Sequence, residues 1–363
     1  MRFGVLMKRL CSGVCLKCCF AIFSLFGVAS IYAAEQESVD WSAIIEQQKE
    51  TQSVLREKAD ALVGQMTQKE KINLYSMSSK EITRLDIPAH DWWNEAIHGV
   101  ARNGIATQFP VSISMASTWD PELILQMADA IGREARGIHN SRENPTGRYE
   151  GLTLWSPTMN LARDPRWGRN EETYGEDPFL TSEMAVSYIR GLQGSDPKYY
   201  QAVACAKHFI ANNSEDDRYT SAPMISERDL RECYMPAFRA AVVDANVQQV
   251  MTAYNGINGI PCTVNRWLLT DVLRNEWGFS GTVVTDAGAP TRLFADHHYV
   301  ENNAEGMTAM LNAGVDVVAD FNENYIRYSI PSVIADGRVF EKMFNRAIVQ
   351  NLTTRTSGVG PNI

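Results

Sequence analysis

Strand-like and helix-like stretches alternate along most of this chain, and that alternation limits it to a few architectures. Apolar runs at residues 152–155, 202–210, 247–254, 281–285 and 315–318 have the length and side-chain type of buried strands. Helical patterns lie between them. One opens at Asp120-Pro121 and continues through Leu123, Leu125, Ala128 and Ile131; another opens at Asp177-Pro178 and runs through Tyr188 and Leu192. Ser226 with Asp229 resembles a capping box before a third, and further helices are expected over 267–277 and 304–313. A separate helical periodicity starts near residue 52, with Val54, Leu55, Ala59, Leu62, Val63 and Met66 on one face. Strand then helix, repeating every roughly 30–50 residues, specifies parallel βα units whose strands are covered on both faces. The number of units favours an α/β fold of the TIM-type (β/α)8 barrel kind, as a single domain over residues 52–352. No Gly-x-Gly-x-x-Gly follows a strand, so a dinucleotide-binding sheet lacks its fingerprint.

The ends read differently. The first 34 residues carry Arg2, Lys8, Arg9 and Lys17 and no acid, followed by an apolar run from Phe20 to Ala34. That is the layout of a secretory signal segment and is shorter than the ~20 residues of a spanning helix. The expected location is secreted or periplasmic, with no membrane association once the signal is removed; an uncleaved anchor is the competing reading. Residues 35–51 read as an N-terminal extension and 353–363 as a polar, frayed tail. A net charge of −9 gives no reason to expect nucleic acid as partner. Four of the seven cysteines fall in the signal segment, leaving Cys205, Cys233 and Cys262, which read as small buried side chains. No metal-ligand spacing appears among the six histidines, and no metal or other cofactor is expected.

In a parallel barrel, chemistry gathers at the C-terminal ends of the strands. Read that way, Lys207-His208, Tyr254 and Asp286 converge. A carboxylate directly after Val-Val-Thr is either a helix cap or a functional group, and a Lys-His pair ending another strand favours function. Trp92, Trp93, Asn94, Glu95 and His98 form a second dense cluster; aromatic faces beside carboxylates and amides suit a sugar. His297-His298 reads as a solvated loop pair.

Five blocks carry a resemblance. WWNEAIHGV (92–100), the segment 155–178 with DPRWGR followed by ETYGEDP, AKHFIANN (206–213), SERDLRE (226–232) and VVTD (283–286) resemble, in type and order, the N-terminal barrel domain of glycoside hydrolase family three. The resemblance implies a retaining, exo-acting β-glycosidase releasing terminal β-D-xylosyl or β-D-glucosyl units from oligo- or polysaccharides or aryl β-glycosides. Asp286 is then the nucleophile, forming a covalent glycosyl-enzyme that water hydrolyses. Arg169, Lys207 and His208 match residues that bind hydroxyls of the terminal sugar, and Glu95 matches the acid that grips the far side of that ring. Tyr254 lies close to the nucleophile, and Met251 forms an apolar wall. Asn94-Glu95 leans toward the β-xylosidase branch.

The resemblance also implies a second carboxyl group, acting as acid and then base, which most of the family takes from a domain after the barrel. No acid/base is assigned within these residues. Glu215, Asp216 and Asp217 lie on the loop where one branch carries an Asp-His pair, but no His follows there. The expectation is a barrel whose activity is impaired by loss of that domain, or which is complemented by a separate chain. A sugar-binding barrel without turnover is the alternative. A Schiff-base aldolase using Lys207 leaves Asp286 and Arg169 unexplained.

Overall fold

The computed structural model describes residues 39–359 apart from 144 and 322; the expected signal segment lies outside the described residues. Helix α1 (Trp41–Val63) begins well before residue 52, so much of the expected extension is helical. Helix α2 (Gln68–Tyr75) follows, opened by a capping box between Thr67 and Glu70. Strands β1 (Ser78–Ser79) and β2 (His90–Asp91) pair antiparallel. After α3 (Ser112–Ala116), α4 (Pro121–Asn140) starts with the Asp120 side chain accepting the Leu123 amide and Pro121 in its first turn. Asp177 and Pro178 start α5 (Pro178–Gln193) in the same way. These two helices pack closely at Gly191, where a Cβ would sit 2.3 Å from the Leu125 carbonyl oxygen.

The regular sheet has four parallel strands in the order β3 (Thr153–Leu154), β4 (Val203–Phe209), β5 (Gln249–Thr252) and β8 (Thr282–Thr285). Every residue of these strands is buried, which explains their continuous apolar character. Between β4 and β5 lie α6 (Glu227–Asp229), a π-helical stretch Leu230–Tyr234, and α7 (Pro236–Val243). A small hairpin, β6 (Gly256–Ile257) with β7 (Ile260–Pro261), precedes the segment Trp267–Glu276, which winds as a π-helix. Helices α8 (Ala289–Ala295), α9 (Asn303–Ala313), α10 (Glu323–Ala335) and α11 (Glu341–Val359) complete the layer around the sheet.

The result is an α/β fold with a curled, partly parallel sheet surrounded by helices. It departs from eight regular parallel strands in two ways. The first βα unit is replaced by the antiparallel β1–β2 pair, and residues 315–318 make only isolated bridges, Val317 with Val284 and Val318 with Ser76. Asn94 bridges Leu154 at the other edge. No helix among the described residues is long and apolar enough to cross a membrane.

Two features hold the end of the sheet where the strands begin. Asp316, fully buried, accepts from Arg274 and from the Val283 amide (2.8 Å) and lies 3.2 Å from Arg346. Of the expected frayed tail, residues 353–359 are instead the last turns of α11, which is buried from Gln350 to Ser357; the remainder lies outside the described residues. The buried part is polar in composition because its partners are backbone and hydroxyl groups at the strand starts. Thr282 donates to Gln350 O (3.2 Å), Asn351 donates to Leu74 O (2.7 Å), and Tyr200 N donates to Ser357 O (2.9 Å). Arg355 donates to Ser79 Oγ (3.2 Å) and Pro88 O (2.7 Å), and burial lowers its pKa to about 9. Of the three cysteines, Cys205 and Cys262 are buried as expected, but Cys233 is exposed on the π-helical stretch.

Candidate active site

The site is built at the ends of β4 and β8 and just beyond β2. The pairing of β4 with β5 shifts register between Ala206 and Phe209. In a regular strand neighbouring side chains face opposite sides, whereas an irregularity re-aims them. Lys207 and His208, adjacent in the chain, therefore reach one cluster. Lys207 Nζ lies 3.8 Å from Glu95 Oε2, and His208 Nε2 lies 3.7 Å from Asp286 Oδ2.

Asp286 follows β8 directly and is 8% exposed. Its Oδ1 accepts the Ala287 amide (2.8 Å), and its Oδ2 has no hydrogen-bond donor among the described residues. Burial pushes its pKa up to about 6, against the opposing pull of Lys207, Arg169 and the Ala287 amide. The Tyr254 hydroxyl donates to Ala287 O (2.6 Å), beside the carboxylate.

Arg169 donates from Nε and Nη2 to the two oxygens of Glu172, both at 2.7 Å, and its Nη2 lies 3.3 Å from His208 Nε2. Burial disfavours the Arg169 charge, but the hydrogen bonds and charge of Glu172 outweigh it and raise its pKa. A guanidinium only donates, so His208 Nε2 accepts and Nδ1 carries the proton, donating to Asn160 Oδ1 at 3.0 Å. Burial, together with the charges of Arg169, Lys207 and Arg218, holds His208 well below the usual imidazole range. The ring is neutral, and its approach to Asp286 is not an ion pair.

Asn160 is the site residue that sequence reasoning missed. Besides the imidazole, its side chain accepts the His208 amide (2.9 Å) and donates to the His208 carbonyl (2.9 Å). In a segment rich in Pro, Asn and Gly, an Asn that grips a neighbouring strand looks the same as a turn residue. Asn160→Ala is expected to reduce kcat/KM on a sugar substrate by about 10- to 100-fold, chiefly through KM. An unchanged KM with unchanged circular dichroism would show that the imidazole needs no such clamp. Asp91 also went unnoticed; it accepts from Ser78 and from the Trp93 amide (2.9 Å), orienting the segment that bears Glu95.

Glu95 accepts from the Trp93 indole (2.7 Å), and Trp93 stacks on Trp155 with ring centroids 5.2 Å apart. Met251 belongs to the small apolar cluster with Trp155, Cys205 and Val284 under the site. Glu215 is occupied by the Trp167 indole (3.2 Å) and Arg218 (2.6 Å). His297 is not a solvated loop residue: it is half-buried and its Nε2 donates to Tyr254 O (2.8 Å). Two cavities flank the cluster. One, of about 640 Å³, is lined by Trp93, Tyr219, Tyr254, Ala287, Arg292 and Phe321 among others. The second, of about 680 Å³, lies beyond Glu95, Arg169 and Lys207.

Comparison with known proteins gives a consistent picture. The family described as "Glycosyl hydrolase family 3 N terminal domain" matches residues 39–354. The xylan 1,4-β-xylosidase of Xylanibacter ruminicola is 38% identical over 307 residues, covering 83% of this chain and 35% of that protein. The exo-1,4-β-xylosidase of Emericella nidulans is 40% identical over 279 residues, covering 72% of this chain and 36% of that protein. The chain thus spans little more than a third of the length of these relatives. Among solved structures, a GH3 exo-β-xylosidase in complex with a xylobiose aziridine probe superposes with a TM-score of 0.77 at 31% identity, over 83% of this chain and 40% of that one. β-Glucosidase 3B of Thermotoga neapolitana, in complex with α-D-glucose, gives 0.69 at 30% identity, over 83% and 42%. With a buried carboxylate, a neutral imidazole and two cations gathered at the strand ends, and with the family match running over nearly all described residues, the chain belongs to glycosyl hydrolase family 3 and corresponds to its N-terminal domain.

Proposed function

We propose that this chain supplies the sugar-holding and nucleophilic half of a retaining exo-β-glycosidase, acting on terminal β-D-xylosyl units and secondarily on β-D-glucosyl units. One observation carries this: Asp286 Oδ2 is buried and without a donor, beside a neutral His208 and within the field of Lys207 and Arg169. Such an oxygen is free to attack an anomeric carbon, while the imidazole, guanidinium and ammonium offer donors and acceptors to ring hydroxyls. Glu95, Trp93 and Lys207 suit the far edge of the same ring. The names of the β-xylosidase relatives favour xylose.

The (β/α)8 topology is the finer reading of the fold, supported by the bridges at Asn94–Leu154, Val284–Val317 and Ser76–Val318, which carry pairing past both edges of the four-stranded sheet. A secreted or periplasmic location rests on the basic, then apolar, first 34 residues. Supply of the acid/base by a separate chain accords with the state of the nearby carboxylates. Glu95, Glu172 and Glu215 are each held by an Arg or an indole N–H and serve as acceptors rather than proton donors. General acid help contributes about 10²–10⁴-fold, so aryl glycosides, whose leaving groups need no proton, are the substrates of choice.

That Glu95, Glu172 and Glu215 are all held as acceptors favours a second reading, sugar binding without turnover. A 2-deoxy-2-fluoro aryl xyloside separates the two. Stoichiometric covalent label on Asp286, located by peptide mass spectrometry, is the expected result; reversible binding without label would favour the second reading.

A further inference from the structure

Arg169 lies in the field of two carboxylates, Glu172 and Asp286, and is bonded to the first of them. We propose that Glu172 is a positioning residue: it holds Arg169 in place for the sugar and keeps that guanidinium off the attacking oxygen of Asp286. The proposal rests on the glycosidase reading of Asp286 and adds to it the group that leaves the nucleophile unpaired.

The local chain builds the pair. Asn170–Glu172 is a single 3-10 turn in which the Glu172 amide donates to Arg169 O (3.1 Å). In such a turn side chains three positions apart eclipse, so residues 169 and 172 project side by side. The turn is tied down at its start, where Asn170 Nδ2 donates to Asp164 O (2.7 Å), and at its end, where Thr173 Oγ1 donates to Asn170 O (2.8 Å). The Glu172 carboxylate is anchored separately. Thr158 donates to its Oε2 (3.2 Å), and Thr158 is itself bridged to Lys207 on β4, with the Met159 amide donating to Lys207 O (2.7 Å).

Arg169 therefore meets a preset fork. Its Nε and Nη2 are engaged by the two Glu172 oxygens, which fixes the plane of the guanidinium as well as its place. Burial alone would raise the Glu172 pKa, but Arg169, Lys207 and the Thr158 hydroxyl outweigh it and hold the carboxyl below its usual range.

The alternative partner is close. Arg169 Nη2 lies 3.3 Å from His208 Nε2, which lies 3.7 Å from Asp286 Oδ2, so one imidazole edge stands between guanidinium and nucleophile. Other carboxylates nearby are occupied: Glu95 by the Trp93 indole, with Lys207 at 3.8 Å, and Glu215 by Arg218 and the Trp167 indole. A guanidinium released from Glu172 thus finds an uncommitted carboxylate oxygen at Asp286 Oδ2. An ion pair there would stabilise the carboxylate and blunt its attack on C1.

The test is a cycle of Glu172→Gln and Arg169→Ala in the full chain, assayed on an aryl β-xyloside across pH. Glu172→Gln should lower kcat/KM about 10- to 100-fold. It should also move the acid limb from about 6 down by about one pH unit, because an arginine paired with a carboxylate lowers its pKa. In the Arg169→Ala background the same substitution should change kcat/KM by less than about twofold and leave the limb nearly in place. Losses that multiply, or an acid limb that stays put in Glu172→Gln, would overturn the proposal while leaving the glycosidase reading intact. Glu172→Asp, which keeps the charge on a shorter arm, should raise KM with the limb still near 6. A limb displaced as in Glu172→Gln would count against the proposal, as would an equal displacement from Glu171→Gln, its exposed neighbour. If the wild-type chain turns over no aryl glycoside, the glycosidase reading fails and the titration of Asp286 decides. Followed by 13C carboxyl NMR, with the signal assigned by its loss in Asp286→Asn, it should titrate about one unit lower in Glu172→Gln than in wild type. Equal midpoints would overturn the proposal.

Discussion

Asp286→Asn is expected to abolish turnover on an aryl β-xyloside and, above pH 6, to make the protein more stable. The loss of rate follows from removing the attacking oxygen, and a drop of about 10⁴-fold or more is expected, as for other enzymes deprived of the nucleophile. The gain in stability follows from burial. The folded-state pKa of Asp286 is about 6 against an ordinary value of 3.8. Below pH 3.8 both folded and unfolded chains carry the proton, and the residue costs nothing. Between 3.8 and 6 the unfolded chain gives up its proton while the folded one keeps it, so stability falls as pH rises. Above 6 the whole penalty is present, at most about 3 kcal/mol. Denaturation midpoints of wild type and variant should therefore coincide near pH 3.5 and separate by pH 7.5, with the variant higher. A variant less stable than wild type at pH 7.5 would mean that Lys207 and Arg169 more than offset the burial. The same pKa sets the activity profile: kcat/KM should rise with pH through about 6, as the nucleophile ionises.

Asp316→Ala is expected to cost about 3–5 kcal/mol of stability. Asp316 is fully buried between Arg274 and Arg346, and it also accepts the Val283 amide at the start of β8. Removing it leaves Arg274, whose charge burial already disfavours, without its counter-ion. Arg346 is about a third exposed and can turn to solvent, so most of the cost falls on Arg274. The double variant Asp316→Leu with Arg274→Met removes both buried charges, and urea titration should show it recovering most of the loss. A single variant within 1 kcal/mol of wild type would show that water reaches this end of the sheet.

What could be read from the sequence was whatever is local or carried by a strong motif. The buried strands at 203–209, 249–252 and 282–285, and the helix starts at Asp120-Pro121 and Asp177-Pro178, follow from apolar runs and capping chemistry. Asp286, Lys207 and His208 follow from their places at strand ends, Glu95 from a dense aromatic and polar cluster, and Arg169 from family resemblance, which also gives each its role; the structure gathers them into one cluster. Non-local features were hidden. Residues 353–357 are polar, and nothing in their composition says that strand starts elsewhere would satisfy them. Residues 315–318 are apolar enough for a strand, yet they meet their neighbours only at single bridges. Asn160 earns its place through a partner 48 positions away.

The register shift inside β4 has an evolutionary consequence. A regular strand would send Lys207 and His208 to opposite faces, so only one of them would reach the sugar. Gaining or losing a single residue between Ala206 and Phe209 would thus part the two side chains while leaving every apolar side chain upstream in place. A relative that holds sugar without turnover could therefore keep its carboxylate and differ only in the spacing of this strand.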